Sequence, residues 1–296
     1  MFGIPKASKR LPWSAYVLIG IVIFGIVLSI AFSSNLSALI LEPPLTPGAW
    51  LESHPYLQVD NRIVSEPSSS LLIFLLAILY LRVAYLFFRG YEGQQSRLWW
   101  AIFMLFFGLG AILAGVSYQA FSFELKCRDY DYCLWTSWWE IGYMICTVAG
   151  VGAAFIAAGY SALSVAARLF WTAYALASTL IYCGVVSFGI ISANRFLISF
   201  EMMIIFVLTG FLAIAANLIW QYRQIKNPLI IKIFKVGALL IAVIVIYFFG
   251  LTAGFAGFLW ARGIWFNAND LLHVLLIGWV LYSYKLLQKS LLDAKV

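Results

Sequence analysis

Eight apolar stretches, each about 20 residues long or slightly more, follow one another along this chain at approximately 13–34, 69–88, 98–118, 138–160, 167–190, 198–220, 234–256 and 266–285. A helix rises about 1.5 Å per residue, so each stretch is long enough to cross a hydrocarbon core roughly 30 Å thick. Inside lipid, backbone N–H and C=O groups must be satisfied within the protein, and a continuous apolar run meets that demand as a helix. Only 10% of the 296 residues are charged and 64% are hydrophobic, against roughly 25% charged in soluble domains. The expected fold class is therefore all-α: a polytopic transmembrane helix bundle of about eight spans.

Charge fixes the orientation. Of the nineteen Lys and Arg residues, thirteen fall at one set of run ends, among them Lys6, Lys9, Arg10, Arg97, Arg168, Lys232 and Lys295. Five (Arg62, Lys126, Arg128, Arg195 and Arg262) fall at the other, and Arg82 lies within the second run. By the positive-inside bias both termini are cytoplasmic. The same bias explains the net charge of +7 without nucleic acid as a partner. The first run is longer than a signal-peptide core of about 7–15 residues and has no small-residue cleavage site, so it reads as a retained anchor. The layout is an N-terminal anchor (1–34), an outer loop (35–68), a seven-helix core (69–288) and a cytoplasmic tail (289–296). Residues 35–68 look too short and Pro-rich to bury a core. Short loops and compact size point to a bacterial inner membrane.

Small residues at Ala111 and Gly115, Gly150 and Ala154, and Gly250 and Gly254 mark expected close helix contacts. Trp99, Trp100, Trp135, Trp138, Trp139, Trp260 and Trp265 sit near run ends, as an interfacial aromatic belt does. Cys127 and Cys133 bracket an acidic, aromatic outer loop; a disulfide is the natural reading if the outside is oxidising, with a metal pair as the alternative. His54, beside Pro55, reads as solvated. No interrupted helix is evident, nor any Walker-type phosphate motif.

The acidic residues are the most informative. Seven lie in outer loops, and Glu140, Glu201 and Asp270 occupy the outer turns of three helices. A carboxylate at membrane depth costs roughly 2.5–3.5 kcal/mol near the bilayer centre, so it usually faces a cavity or a partner. The last run opens Asn267-Ala-Asn269-Asp270-Leu-Leu-His273, which places Asn269 and His273 one above the other with Asp270 beside them. Glu140, Tyr143 and Thr147 share a face of the fourth run, and Ser117 and Gln119 end the third at the same level. Two readings follow: an interhelical hydrogen-bond network that fixes packing, or a hydrophilic pocket in which His273 is a metal ligand or general base. Tyr174, Ser178 and Tyr182 make a further stripe, read as packing.

With Ser117 near the end of its second core helix and Asn269-x-x-x-His273 opening its seventh, the chain resembles the superfamily of alkaline ceramidases, adiponectin/progestin receptors and Per1-like proteins. That resemblance implies a zinc-dependent lipid amide hydrolase, with three His on the metal and an Asp and a Ser assisting a bound water. Phe121 stands where the first His would be and Asn269 where the second would be; His273 matches the third. On this pattern the metal ligands would be His273, Asp270 and Glu140. The expected function is hydrolysis of a lipid or lipid-like amide or ester at the outer face, with His273 and Asp270 activating water. Glu140 would act as acid or base and Ser117 would steady the oxyanion. The alternative is a non-enzymatic receptor, transporter or assembly subunit with a polar outward-facing pocket.

Overall fold

The computed structural model describes residues 11–254, 258–259 and 262–294. Lys6, Lys9, Arg10, Trp260 and Lys295 lie outside the described residues. Eight helices are long and apolar enough to span a membrane: α1 (Trp13–Ala31), α3 (Pro67–Arg89), α4 (Gln95–Ala114, extended by a π segment, Gly115–Ala120), α6 (Trp138–Ala162), α7 (Val165–Ile191), α8 (Phe200–Ile225), α9 (Pro228–Thr252) and α10 (Ala268–Leu287). Two short outer helices, α2 (Pro47–Ser53) and α5 (Ser122–Lys126), and a hairpin of β1 (Tyr56–Val59) and β2 (Arg62–Ser65) lie between the spans, with short 3-10 turns at Ser33–Ala38 and Phe196–Ile198. This is an all-α polytopic bundle. "Outer" denotes below the end opposite the basic loops.

Local chemistry sets the boundaries. The narrow break between α6 and α7 holds because Leu163 and Ser164 are extended and the Ser164 hydroxyl accepts the Ala167 N–H. α9 begins six residues before its apolar run, where Asn227 caps Leu229 and Pro228 takes the first helical position. The third span does not stay α-helical. Its last turn widens into the π segment, a form that recurs at functional sites because it re-aims side chains.

Packing is uneven around the bundle. In α6, 83% of the apolar window is buried, and in α4 67%, whereas α8 and α9 bury 22% and 28%. α6 is the axis, with α1, α4, α7 and α8 against it. Two of the three small-residue expectations hold as close contacts. A Cβ on Gly150 would meet Phe107 at 2.7 Å, and one on Gly115 would meet Ile73 at 2.8 Å. Gly254 meets nothing; its φ of +63° ends a helix instead. The anchor helix joins the bundle, its Gly25 pressed to Cys183 and Ile145.

The outer loop does have a core. Trp50 and Ile63 from residues 35–68 pack with Phe123, Cys127 and Cys133 from beyond α4. Leu41 N–H donates to Cys133 O, Cys133 N–H to Leu45 O and Trp135 N–H to Leu39 O, at 2.8–2.9 Å. The sulfurs of Cys127 and Cys133 are 2.07 Å apart. Residues 35–68 build this core with apolar groups borrowed from a different segment, Phe123, Cys127 and Cys133. His54 is likewise not simply solvated: its ring stacks on Trp50 at 4.2 Å. At the inner end the tail folds back. Asp293 accepts the Gln95 and Ser96 N–H groups at 2.8 and 2.7 Å, and Arg168 donates to Ala294 O at 2.8 Å.

Candidate functional site

Glu140 sits in the first turn of α6, 2% exposed. Its Oε1 accepts from Lys126 Nζ at 2.7 Å and from Ser117 Oγ at 2.9 Å, and its Oε2 accepts from Thr136 Oγ1 at 2.9 Å. Ser117 Oγ also lies 2.6 Å from Ser137 Oγ. The π segment delivers Ser117, the short α5 delivers Lys126, and the loop before α6 delivers Thr136 and Ser137. The Lys126 ammonium also lies 5.4 Å over the Tyr118 ring. A buried carboxylate is stable here because it is matched by one cation and two hydroxyls.

Asp270 forms a second, separate group. It is fully buried, yet no Lys or Arg among the described residues pairs with it. Its charge is carried by three donors: Ser68 Oγ at 3.0 Å, Ser69 Oγ at 2.8 Å and the Asn267 N–H at 2.7 Å. Asn267 in turn accepts from the Asn269 and Asp270 N–H groups, so the pair is a capping box at the positive end of α10. Asn267 Nδ2 reaches Glu66 at 3.3 Å, and Tyr247 OH donates to Asn269 at 3.3 Å. The Glu66 carboxyl, just ahead of α3, is raised above its ordinary range chiefly by burial. Asn267 and Asn269 pull it back by hydrogen bonding, as does His54 through its charge, while Asp270 pushes it up.

His273, 3% exposed, follows Asp270 on the same face of α10, and its Nδ1 has no hydrogen-bond partner. Ser117 and Glu140 thus come together, Asp270 and His273 share a helix face, and the two pairs belong to different hydrogen-bonded groups. Among the described residues no group of three or more His, Cys, Asp or Glu is placed to hold a metal ion. The donor set does not fit the expected zinc. Glu140 is already neutralised by an ammonium and belongs to a different hydrogen-bonded group from Asp270, so the two carboxylates do not meet at His273 to complete the three ligands a catalytic zinc takes.

A third feature is aromatic. Tyr118 packs edge-on to Tyr143 with ring centroids 6.1 Å apart. The hydroxyls of Tyr80 and Tyr182, 2% and 0% exposed, find no partner, and neither does Gln119 Oε1. Below them Tyr80, Phe103, Phe107 and Trp279 form a tight aromatic cluster, with centroids 4.6–6.4 Å apart.

Sequence reasoning missed Lys126, Thr136, Ser68 and Ser69 as partners. The sequence did carry a signal for the Asn267–Asp270 pairing, since Asn267-x-x-Asp270 is a capping-box spacing. Compared with protein-family models, with curated proteins and with solved structures, the chain matches none.

Proposed function

We propose that this integral membrane protein is a non-enzymatic binding protein, a receptor or carrier whose ligand is held in the outer half of the bundle, in a bacterial inner membrane. One observation carries the reading: every oxygen of the Glu140 and Asp270 carboxylates already accepts a hydrogen bond from the protein. A general base must aim a lone pair at a substrate proton, and these carboxylates, 2% and 0% exposed, are turned to protein donors and closed off from a substrate. Groups engaged in this way hold a framework in place: Glu140 ties α6 to Ser117 and Lys126, and Asp270 ties α10 to Ser68 and Ser69. The test is release of fatty acid from ceramide and phospholipid vesicles by the purified protein. No release above protein-free vesicles is expected, and sustained turnover lost in Ser117→Ala overturns the proposal.

The hydrolase remains the second reading, favoured by the 2.9 Å hydrogen bond from Ser117 to Glu140. It resembles a serine held by a carboxylate, with Lys126 beside it as the group that would have to give up its proton. The same vesicle assay, with Lys126→Met added, decides for it if turnover depends on both residues.

A further inference from the structure

We infer that the cavity at the inner end of the bundle, between the ends of α6 and α9 and the C-terminal tail, binds an anionic phosphate group through Lys232. This site does not depend on what the outer half binds.

The cavity has a volume of about 400 Å³, and the polar part of its lining is Ser161, Asn227, Lys232, Ser290 and Asp293. That size falls within the roughly 300–1,000 Å³ of small-ligand pockets. Ser161 ends α6, Lys232 stands in the second turn of α9, and Ser290 and Asp293 follow α10. The tail is held there by the Ala294 N–H, which donates to Tyr160 O at 2.9 Å. The three ion pairs among the described residues, Lys126–Glu140, Arg128–Glu124 and Arg195–Glu42, all lie at the outer end. At the inner end Lys232 is half-buried and its Nζ donates to Ser290 Oγ, with no carboxylate pairing with it among the described residues. An ammonium taken out of water is costly without a counter-charge, and an anion in the cavity supplies one.

The other groups on the lining select the ligand. Asp293, its one carboxylate, has its charge carried by the Gln95 and Ser96 N–H groups, at 2.8 and 2.7 Å, at the positive end of α4. It therefore does not serve Lys232. Asn227 Oδ1 accepts the Leu229 N–H at 2.9 Å, which leaves the Asn227 amide N–H groups as donors beside the first turn of α9, the positive end of a 25-residue helix. An ammonium has three N–H donors and Ser290 takes one. The remaining ammonium donors and the amide suit a group with several strongly accepting oxygens, as a phosphate has. Basic pockets between spans on the cytoplasmic side take anionic lipid heads in this way. Lys226 and Lys289, exposed and next in the chain to Asn227 and Ser290, attract such a group and repel a quaternary ammonium. Two sources present the same chemistry, an inner-leaflet lipid and a soluble phosphoester.

The experiment uses the full chain in phosphatidylcholine nanodiscs, with phosphatidylglycerol added stepwise to the bilayer or glycerol 3-phosphate to the buffer. Native mass spectrometry counts bound molecules and thermal shift gives half-saturation. At least one of the two probes should bind saturably. Lipid binding without the ester assigns the group to the membrane, and ester binding assigns it to a soluble phosphate. Lys232→Met should weaken half-saturation about tenfold, the loss of one charge-assisted hydrogen bond, and Lys232→Arg should keep it. Ser290→Asp sets a carboxylate beside Lys232 and should abolish binding, which covers the case in which Lys232→Met folds poorly. Lys235→Met removes the same charge from α9 away from the cavity lining and should bind like wild type. Saturable binding of neither probe, wild-type affinity in Lys232→Met and Ser290→Asp, or equal losses in Lys232→Met and Lys235→Met each overturns the inference.

Discussion

Lys126 and Glu140 meet at 2.7 Å across the junction of α5 and α6, the lysine side chain 15% exposed and the glutamate 2%. The cation comes from a five-residue helix that the disulfide-bearing loop follows directly, so the outer cap and the bundle are joined through one charge pair.

Removing one member of that pair should cost more than removing both. Lys126→Met leaves a buried carboxylate with hydroxyl partners alone, and a loss of about 3 kcal/mol or more is expected. Lys126→Met with Glu140→Gln should recover at least half of it. Unfolding titrations in mixed micelles measure both; a double variant as weak as the single would show that the two charges are not coupled.

Asp270 stitches α10 to α3 through Ser68 and Ser69. A double-mutant cycle of Ser69→Ala and Asp270→Ala should give a coupling of about 1.5–3 kcal/mol, the level of a charge-assisted hydrogen bond. Strict additivity of the two losses would mean that the contact contributes nothing.

Glu66 sets a pH dependence of definite sign. Burial raises its carboxyl above the ordinary 4.5, so the unfolded chain ionises first as pH rises. The two states match below the unfolded value, and stability falls as pH climbs from there through the folded value. Glu66→Gln keeps an acceptor for Asn267 without the charge. It should melt like wild type near pH 4 and higher than wild type at pH 7 to 8. An equal melting temperature at both pH values removes the argument.

The tail cap predicts local loosening at the inner end of α4. Asp293→Ala frees the Gln95 and Ser96 N–H groups, at a cost of about 1 kcal/mol typical of a lost helix cap. Hydrogen exchange should accelerate at those two amides and their neighbours, while the α6 core keeps its protection. Unchanged exchange at Gln95 and Ser96 would show that Asp293 is dispensable.

The spans were legible in the sequence because lipid imposes a length and a composition that no tertiary contact has to explain. Ser117 and Glu140 were legible too, since both are polar and both fall at the same depth. What escaped was long-range pairing. Asp270 looked like a partner for Glu140 because both lie near the outer surface, but depth says nothing about position around the bundle. The cap over the outer face was hidden for the same reason: Trp50 has its apolar partners at Phe123, Cys127 and Cys133, far along the chain.

The inner end of α4 has a consequence for the order of events during synthesis. Its first turn is capped by a residue 198 positions later in the chain. At about 5–20 residues per second, roughly 10–40 s pass between emergence of α4 and arrival of its cap. For that interval Gln95 and Ser96 must be served by water or headgroups at the cytoplasmic surface. Residues made much later therefore close a helix that was among the earlier ones inserted.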